Sequence, residues 1–227
     1  LSIDLIAGWN WISFNVLPDD NSTATMFASL GDAATFVGSQ SSGTASYYES
    51  YGQWLGGLTT LVSSSGYQLN MHAEGTLIYP DFAGSARAYA NKQPVILTDK
   101  ISDWDFHYGD YEFIGTIHAS IDNRIDANGD ILGIFAGDEC RGIAERMYFQ
   151  LDDTYYYMIQ VYSNALDGEE LTFKYYDNTN DKVTTYSETL TFENNMIVGD
   201  GFNTFGLSRE RNVSQPKAYG IGDAYPN

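Results

Sequence analysis

Short runs in which apolar and polar side chains alternate at every second residue constrain this chain most strongly. Near the start of the chain, Ile12 and Phe14 fall on one face of an extended segment, and Trp9 and Trp11 fall on the other. Residues 155–162 alternate in the same way. A period of two is the repeat of a β-strand, because successive side chains point to opposite faces. The chain is therefore predicted to fold mainly as β-sheet.

Turn-forming residues divide the chain into segments of strand length. Residues 111–121 and 131–136 lie on either side of Asn128-Gly129, a dipeptide that favours tight hairpin turns. These two runs are therefore predicted to be partner strands of one hairpin. Leu58 to Val62 is predicted as a further short strand, bounded by glycine on one side and serine on the other.

One segment is predicted to be helical. Ser22 to Leu30 begins with a good capping residue and carries apolar side chains that can face inward. Elsewhere the chain lacks long runs of helix-forming residues, and 15% of it is aromatic, which favours strands. The predicted fold class is all-β, with two β-sandwich-like modules and at most one short helix. The modules are predicted to span residues 1–99 and 100–227.

Acidic side chains dominate the charge of the chain. Thirty Asp and Glu residues oppose eleven Lys and Arg residues, which gives a net charge of −19. Because such a surface repels phosphate groups, neither nucleic acid nor an anionic membrane is expected as a partner. No apolar run reaches the ~18 residues that a transmembrane helix needs, so no membrane insertion is predicted. Cations, above all calcium, and neutral ligands such as glycans remain as candidate partners.

Residue types that carry out chemistry are sparse. Cys140 is the only cysteine, which excludes an intramolecular disulfide and a cysteine zinc cluster. His72, His107 and His118 lack metal-ligand spacing, and the chain has neither a nucleophile-elbow motif nor a phosphate-binding loop. We therefore predict no catalytic residue and no required cofactor, and the chain is not expected to be an enzyme.

A partial calcium-binding pattern follows the first strand of the second module. Asp126, Asn128 and Asp130 occupy positions one, three and five of a calcium loop, and Asp122 lies just upstream. The pattern is incomplete, because Ile131 stands where a full loop has glycine. The alternative is an ordinary Asn-Gly turn with solvated acidic residues. Calcium is thus a candidate stabilising ion, with these four residues as its ligands.

Aromatic residues of the first module are the candidates for a ligand platform. Flat rings can stack on the apolar faces of sugars, and nearby amides can bond the hydroxyl groups. The predicted platform consists of Tyr47, Tyr48, Tyr51 and Trp54. Trp9 and Trp11 are further candidates, although tryptophan at alternate strand positions more often packs in a core. The tyrosines are expected to be more exposed, since they lie in loop-like sequence.

Four stretches of the sequence carry distinctive motifs. The first module carries GWNWISFNV at residues 8–16 and QWLGGL at residues 53–58. The second carries IFAGDECRG at residues 134–142, in which Asp138, Glu139 and Arg141 could form an ion pair as a structural or a ligand contact, and the last four residues are AYPN. The first three stretches resemble segments of large modular surface proteins secreted by Bacteroidetes-like bacteria, and AYPN is similar to the start of a type IX secretion sorting domain.

This resemblance implies an extracellular, cell-surface location and a modular architecture without catalysis. The predicted function is an adhesion or interaction module that binds other surface proteins, copies of itself or glycans, with calcium as a candidate stabiliser. Two alternatives remain open. The chain could be the repeating subunit of an extracellular filament or surface layer, or a carbohydrate-binding module of a secreted hydrolase.

Overall fold

The computed structural model describes residues 1–63, 65–80, 97–122 and 128–208. Within these residues the chain forms fifteen β-strands in three sheets, together with one four-residue α-helix and several short 3-10 segments. The predicted all-β fold class, with sandwich-like architecture, is confirmed. None of the helices in the described part of the chain is long and apolar enough to cross a membrane.

The first module contains seven strands and the α-helix. Its elements, in chain order, are β1 (Ser2–Leu5), β2 (Gly8–Ser13), α1 (Thr23–Met26), β3 (Ala34–Ser39), β4 (Gly43–Tyr48), β5 (Gln53–Gly56), β6 (Gly66–Met71) and β7 (Gly75–Ile78). Five of the strands form an antiparallel sheet in the order β2-β6-β3-β4-β5, and β1 pairs with β7 as a separate two-stranded ribbon. The strand β2 is therefore an edge strand.

One face of this five-stranded sheet forms the core of the first module. Alternation in β6 turns Tyr67, Leu69 and Met71 inward, where they pack in one cluster with Met26 of α1 and Leu77 of β7. The helix and the ribbon thus act as the second layer over this face of the sheet. The opposite face is directed toward the second module.

The short helix forms where the sequence predicts it, but it is shorter than predicted. Ser22 caps α1, since its hydroxyl accepts a hydrogen bond from the Thr25 N–H at 3.3 Å. The helix ends at Met26 and is followed by a 3-10 segment, Ala28–Ala33. Gly31 within that segment has a φ of 55°, a left-handed conformation that ends regular helix geometry.

The predicted strand over Leu58 to Val62 is wrong. The structure has no strand there, although Leu58 and Leu61 are buried in the core. The backbone of this segment is hydrogen-bonded instead to the start of α1, where the Thr23 N–H donates to Thr59 O at 3.0 Å. Burial of its apolar side chains therefore reflects packing against the helix layer, not membership of a sheet.

The second module contains eight strands. Its strands, in chain order, are β8 (Phe113–Ile121), β9 (Ile131–Ala136), β10 (Glu139–Phe149), β11 (Thr154–Ser163), β12 (Asp167–Asp177), β13 (Lys182–Glu193), β14 (Ile197–Val198) and β15 (Phe205–Leu207). The 3-10 segment Asp99–Trp104 precedes them and buries Ile101 and Trp104 against this module. The predicted boundary near residue 100 stays a prediction, because residues 81–96 lie outside the described residues.

The long strand β10 joins the two halves of a β-sandwich. The first part of β10 pairs with β9, β9 also pairs with β12, and β12 pairs with β13. The last part of β10 pairs with β11, and β11 also pairs with β8. Ile117 and Ile159 from one half and Leu132 and Phe173 from the other pack in a single core. Both halves therefore enclose one apolar interior.

Gly142 permits the close approach of strands near the middle of β10. A Cβ atom at this position would lie 2.2 Å from the carbonyl oxygen of Gln160 in β11. The register of β10 against β9 also shifts between Cys140 and Gly142, which marks a bulge. The GDECRG-like stretch thus has a structural explanation, because only glycine fits at position 142, where the part of β10 that pairs with β9 comes close to the backbone of β11.

The predicted hairpin between residues 111–121 and 131–136 is wrong. β9 pairs with β10 and β12, whereas β8 pairs with β11, β14 and β15 in the other half of the sandwich. Gly129 does adopt a left-handed φ of 83°. A local turn signal reverses the chain, but the partner of each strand is chosen by the shared core.

Candidate ligand-binding cleft between the modules

Hydrogen bonds from β11 fix the two modules face to face. The Gln160 side chain donates to the backbone oxygen of Ser39 at 2.7 Å, and the Tyr162 hydroxyl donates to that of Gln40 at 2.7 Å. These side chains lie on the outer face of the sandwich, because Ile159 and Val161 at the intervening positions are in the core. The outer face of one module thus holds the turn between β3 and β4 of the other.

A second contact uses two of the predicted platform residues. The Gly201 N–H donates to the Tyr48 hydroxyl at 2.9 Å, and the Tyr48 ring lies 5.3 Å from Phe149 and 5.8 Å from Phe202. Tyr51 stacks on Phe202 at 5.8 Å between ring centroids. Tyr48 and Tyr51 therefore contact the second module and form part of the joint between the modules.

The other two predicted platform residues lie on a different face. Tyr47 and Trp54 are cross-strand partners in β4 and β5 with ring centroids 5.4 Å apart, and Trp54 also contacts Phe27 at 5.4 Å. Because successive residues of a strand face opposite sides, Tyr47 points away from Tyr48. The structure therefore does not bring the four rings into one surface, and their role in ligand binding stays a prediction.

A cleft of about 280 Å³ opens beside the joint. We call it the intermodule cleft. Trp9, Trp11 and Gln68 line it from the outer face of the first module, while Glu112 and Asn195 line it from the second. β4 and β11 are in contact at Thr44 and Met158. The cleft extends from this contact to Trp9 and Trp11 of the edge strand β2.

Trp11 is the exposed ring of this cleft. The exposed fraction of the Trp11 side chain is 75%, and that of Tyr51 is 49%. The prediction that the tyrosines are more exposed than Trp11 is therefore wrong. Trp11 belongs to an edge strand and points away from the core of its own module. Trp9 is half-buried beside it and packs edge-on against Phe36 at 5.9 Å.

Side-chain amides surround the rings. Gln40, Gln68 and Asn194 line the cleft, and none of the three has a side-chain hydrogen-bond partner among the described residues. Asn195 lies next to them with its Oδ1 buried and also without a partner in the described part of the chain. Its backbone has a left-handed φ of 62° and donates to Ile114 O at 2.8 Å, which anchors it to β8. The cleft thus offers unpaired neutral polar groups beside an apolar ring.

An ion-pair network supports the rim of the cleft at Tyr111. Arg141 Nη2 lies 2.7 Å from Glu169 Oε1 and 3.4 Å from Glu139 Oε2, and its guanidinium lies 5.0 Å from the centre of the Tyr111 ring. The Tyr111 hydroxyl donates to Glu139 at 2.8 Å. Burial and this hydrogen bond to a carboxylate raise the pKa of Tyr111 to about 12. These contacts fix the rim of the cleft and the turn before β10.

A buried imidazole lies beneath the joint. His118 is fully buried on β8, with its Nδ1 3.4 Å from Val198 O and its ring 5.6 Å from the Tyr156 ring. His118 Nε2 and the Tyr156 hydroxyl are buried and without hydrogen-bond partners among the described residues. Burial lowers the pKa of His118 and raises that of Tyr156, because both charged forms would lose solvation. Both side chains are therefore neutral near neutral pH.

The candidate calcium ligands are used differently by the fold. Asp130 is buried and accepts hydrogen bonds from the Tyr175 hydroxyl and, at 2.9 Å, from the Asn178 N–H. Asn128 accepts from Arg146 at 2.7 Å, and Asp122 is exposed. Asp126 lies outside the described residues. The described residues contain no group of three or more potential metal ligands, so the calcium site stays a prediction.

The remaining reactive residue types are scattered. Burial raises the pKa of Cys140 to about 11, so its thiol stays protonated. His72 is exposed, and His107 lies at the surface with its Nδ1 3.3 Å from Asp110. The prediction that no residue is catalytic is untested by these positions.

Sequence reasoning missed the amide wall of the cleft. Gln40, Gln68, Asn194 and Asn195 are distant in the chain and carry no shared motif. One signal was available for Gln68, because it alternates with Tyr67 and Leu69 and therefore occupies the face of β6 opposite the core.

Comparison of the chain with models of protein families, with curated proteins and with solved structures gave no match.

Proposed function

We propose that this chain is a non-catalytic, extracellular interaction module that binds its partner in the intermodule cleft. The observation that carries the proposal is the exposed Trp11 ring facing a wall of unpaired amides. An aromatic surface with a few polar groups is the usual composition of a binding site. The described part of the cleft lacks a histidine, cysteine or lysine that could act on a bound molecule.

Preorganisation supports a binding role. The walls of the cleft come from two modules that are already joined by the Gln160, Tyr162 and Tyr48 hydrogen bonds. A partner then meets a cleft whose walls are in place, which lowers the entropic cost of binding. An adhesion module needs this property, because it must hold its partner without further rearrangement.

The extracellular location is supported by the sequence. The GWNWISFNV and IFAGDECRG stretches resemble modules of secreted bacterial surface proteins, and the AYPN ending is similar to the start of a sorting domain. The strong negative charge is compatible with neutral or cationic partners at a cell surface.

Filling the cleft tests the proposal. Gly66 lines the cleft and a Cβ atom there would meet open space, so Gly66→Trp introduces a large side chain at the cleft without a backbone clash at Cβ. Gly57→Trp is the matched control, since Gly57 is also unobstructed but lies outside this cleft. Labelled protein would be applied to plates coated with chitin, with denatured collagen or with bacterial outer-membrane vesicles. We expect retention on one coating that Gly66→Trp abolishes and Gly57→Trp preserves; equal retention of all three proteins would reject the proposal.

Calcium is proposed as a stabilising ion only. A ligand that binds the folded state alone must raise the melting temperature. A fall in melting temperature on adding a chelator supports the ion, and an unchanged melting temperature removes it from the proposal.

A second candidate function, the repeating subunit of a filament or surface layer, is favoured by β13. This strand has 12 residues and is an edge strand of its sheet, because β12 is its one partner strand in the described structure. A long edge strand can pair with a strand of another copy. Light scattering over a concentration series separates the two functions, since a constant monomer mass supports the binding module and growing assemblies support the filament.

A further inference from the structure

We propose that the intermodule cleft binds a neutral oligosaccharide, with one sugar ring stacked on Trp11 and its hydroxyl groups bonded to the amides around it. This inference rests on the proposed function, because it names the class of ligand for the same cleft. Four properties of the cleft carry it: the exposed ring, the unpaired amides, the charge and the size.

The exposed ring sets the mode of contact. A surface that leaves 75% of Trp11 exposed has a cost in water, which a covering ligand removes. The face of an indole ring is negatively polarised, so it attracts the weakly positive C–H groups on one face of a pyranose. Trp9 lies beside it on the same face of β2 and packs edge-on against Phe36 at 5.9 Å between ring centroids.

The amides set the hydrogen-bonding chemistry. An amide side chain offers both a donor and an acceptor, which is the combination that neighbouring sugar hydroxyls require. Gln40, Gln68 and Asn194 present such groups in the cleft without a partner among the described residues. They come from both modules, so a ligand bonded to them bridges the cleft.

Asn195 adds an unsatisfied acceptor to the wall. A buried acceptor without a hydrogen bond is unfavourable, because its solvation is lost without a replacement. Rotation of the Asn195 side chain toward the cleft would let a sugar hydroxyl donate to Oδ1 and remove this cost. The left-handed backbone of this residue, held by its bond to Ile114, keeps the amide at that position.

The charge of the cleft selects a neutral ligand. Among the described residues that line it, Glu112 is the one charged side chain, and no lysine or arginine is present. An acidic sugar would therefore meet a carboxylate and a net charge of −19 without a cation to pair with. A cationic partner would leave most of the amides unused.

The size of the cleft selects a short segment of a sugar chain. Its volume of about 280 Å³ lies just below the range of ~300–1,000 Å³ for small-molecule sites. The exposed position of Trp11 at the edge strand β2 leaves the ligand room to continue past the cleft. An internal segment of a longer glycan fits this shape better than a compact free ligand.

Titration with defined sugars tests the inference. The full chain would be titrated with neutral hexasaccharides of β-1,4-linked glucose, N-acetylglucosamine and mannose, and with hexagalacturonate as the anionic probe, using tryptophan fluorescence and calorimetry. We expect at least one neutral hexasaccharide to bind with a Kd below about 1 mM and hexagalacturonate to bind at least about tenfold more weakly. Trp11→Ala should weaken that binding by about tenfold or more, because it removes the central aromatic contact.

Matched variants make the result decisive. Tyr148→Ala is the control for loss of an exposed ring, since Tyr148 is half-exposed on the β10–β11 hairpin and does not line the cleft. It should bind as the wild type does. Gln68→Ala, which removes one amide and leaves the ring, should weaken binding less than Trp11→Ala.

Three outcomes overturn the inference: no neutral hexasaccharide binds, the anionic probe binds more tightly, or Trp11→Ala binds as the wild type does. If no sugar binds but Gly66→Trp still abolishes retention on collagen or vesicles, the sugar inference fails and the proposed function stands. If Gly66→Trp changes no retention, the proposed function fails independently of the sugar titration.

Discussion

The two modules close their apolar cores in different ways. In the second module, β10 runs from one half of the sandwich into the other, and Ile159 and Phe173 from opposite halves share one core. In the first module a single five-stranded sheet is covered on one face by α1 and the β1–β7 ribbon, as the packing of Met26 and Leu77 shows. Its other face is directed toward the second module and the intermodule cleft.

The modules are therefore expected to depend on each other unequally. The main core of each module is complete within its own elements, but the first module has only one large sheet, and one face of that sheet is turned toward the second module. The first module relies on its partner to cover Tyr48 and the turn between β3 and β4. Damage to the second module is therefore expected to spread to the first, whereas damage to the first should stay local.

The largest expected effect tests this inequality in the two cores. Phe173→Ala should destabilise the second module by about 3–5 kcal/mol, and Leu69→Ala should destabilise the first by about 2–5 kcal/mol, because both side chains are fully buried. Hydrogen exchange read by mass spectrometry would follow β6 and β12 separately. Phe173→Ala should speed exchange in both strands and Leu69→Ala in β6 alone. Equal spreading from both variants would contradict the comparison.

The next effect tests the strand that closes the sandwich. Gly142→Ala places a Cβ atom against the carbonyl of Gln160, so β10 or β11 must move, at a cost of about 1–3 kcal/mol or more. Gly66→Ala is the matched control in the first module, where a Cβ atom meets open space. Urea unfolding should show a clear loss for Gly142→Ala and little change for Gly66→Ala. Similar midpoints for the two variants would show that the close approach is not needed.

A smaller effect tests the joint between the modules. Tyr48→Phe removes the hydroxyl that accepts a hydrogen bond from Gly201, which should cost about 0.5–1.5 kcal/mol. Tyr51→Phe keeps the ring stacked on Phe202 and removes a hydroxyl that has no hydrogen-bond partner in the described structure, so it should be neutral. Thermal unfolding of both variants measures the difference. Identical melting temperatures for Tyr48→Phe and Tyr51→Phe would show that the joint does not depend on the hydrogen bond from Gly201.

The smallest effect near neutral pH tests the buried imidazole under the joint. The pKa of His118 is lowered by burial, so the unfolded chain binds a proton more readily than the folded one. The stabilisation is present above the unfolded pKa of 6.5 and is lost as the pH falls from there toward the folded pKa. Melting temperatures should therefore fall more steeply for the wild type than for His118→Gln between about pH 7 and about pH 5.5. Parallel curves would show that His118 is not the titrating group.

Local patterns predicted the strands better than they predicted strand partners. The alternation around Ile12 and Phe14 correctly indicated β2, and the run over residues 155–162 correctly indicated β11. The Asn128-Gly129 turn, by contrast, wrongly predicted pairing of its flanking strands. Side-chain periodicity depends on one strand and one buried face, whereas pairing depends on which strands share a core.

The candidate site shows the same limit. The sequence predicts Tyr48 and Tyr51 as part of a ligand platform, whereas in the structure both rings contact the second module, so their role in ligand binding stays a prediction. Trp11 was judged more buried than it is, because alternation alone does not show that β2 is an edge strand. For Gln68, the alternation of side chains along β6 indicates a position on the outer face of the sheet. No sequence pattern indicates that Asn195 lines the same cleft.

Composition and a repeat of two residues are enough to predict the all-β class, the acidic charge and the two faces of individual strands, since these properties are local. The three-dimensional arrangement was needed to see that β10 joins the two halves of a sandwich and that the outer faces of the modules meet. It also decided that Trp11 faces amides from distant strands across a cleft. Such contacts join residues far apart in the chain, and their energies depend on packing that no local pattern encodes.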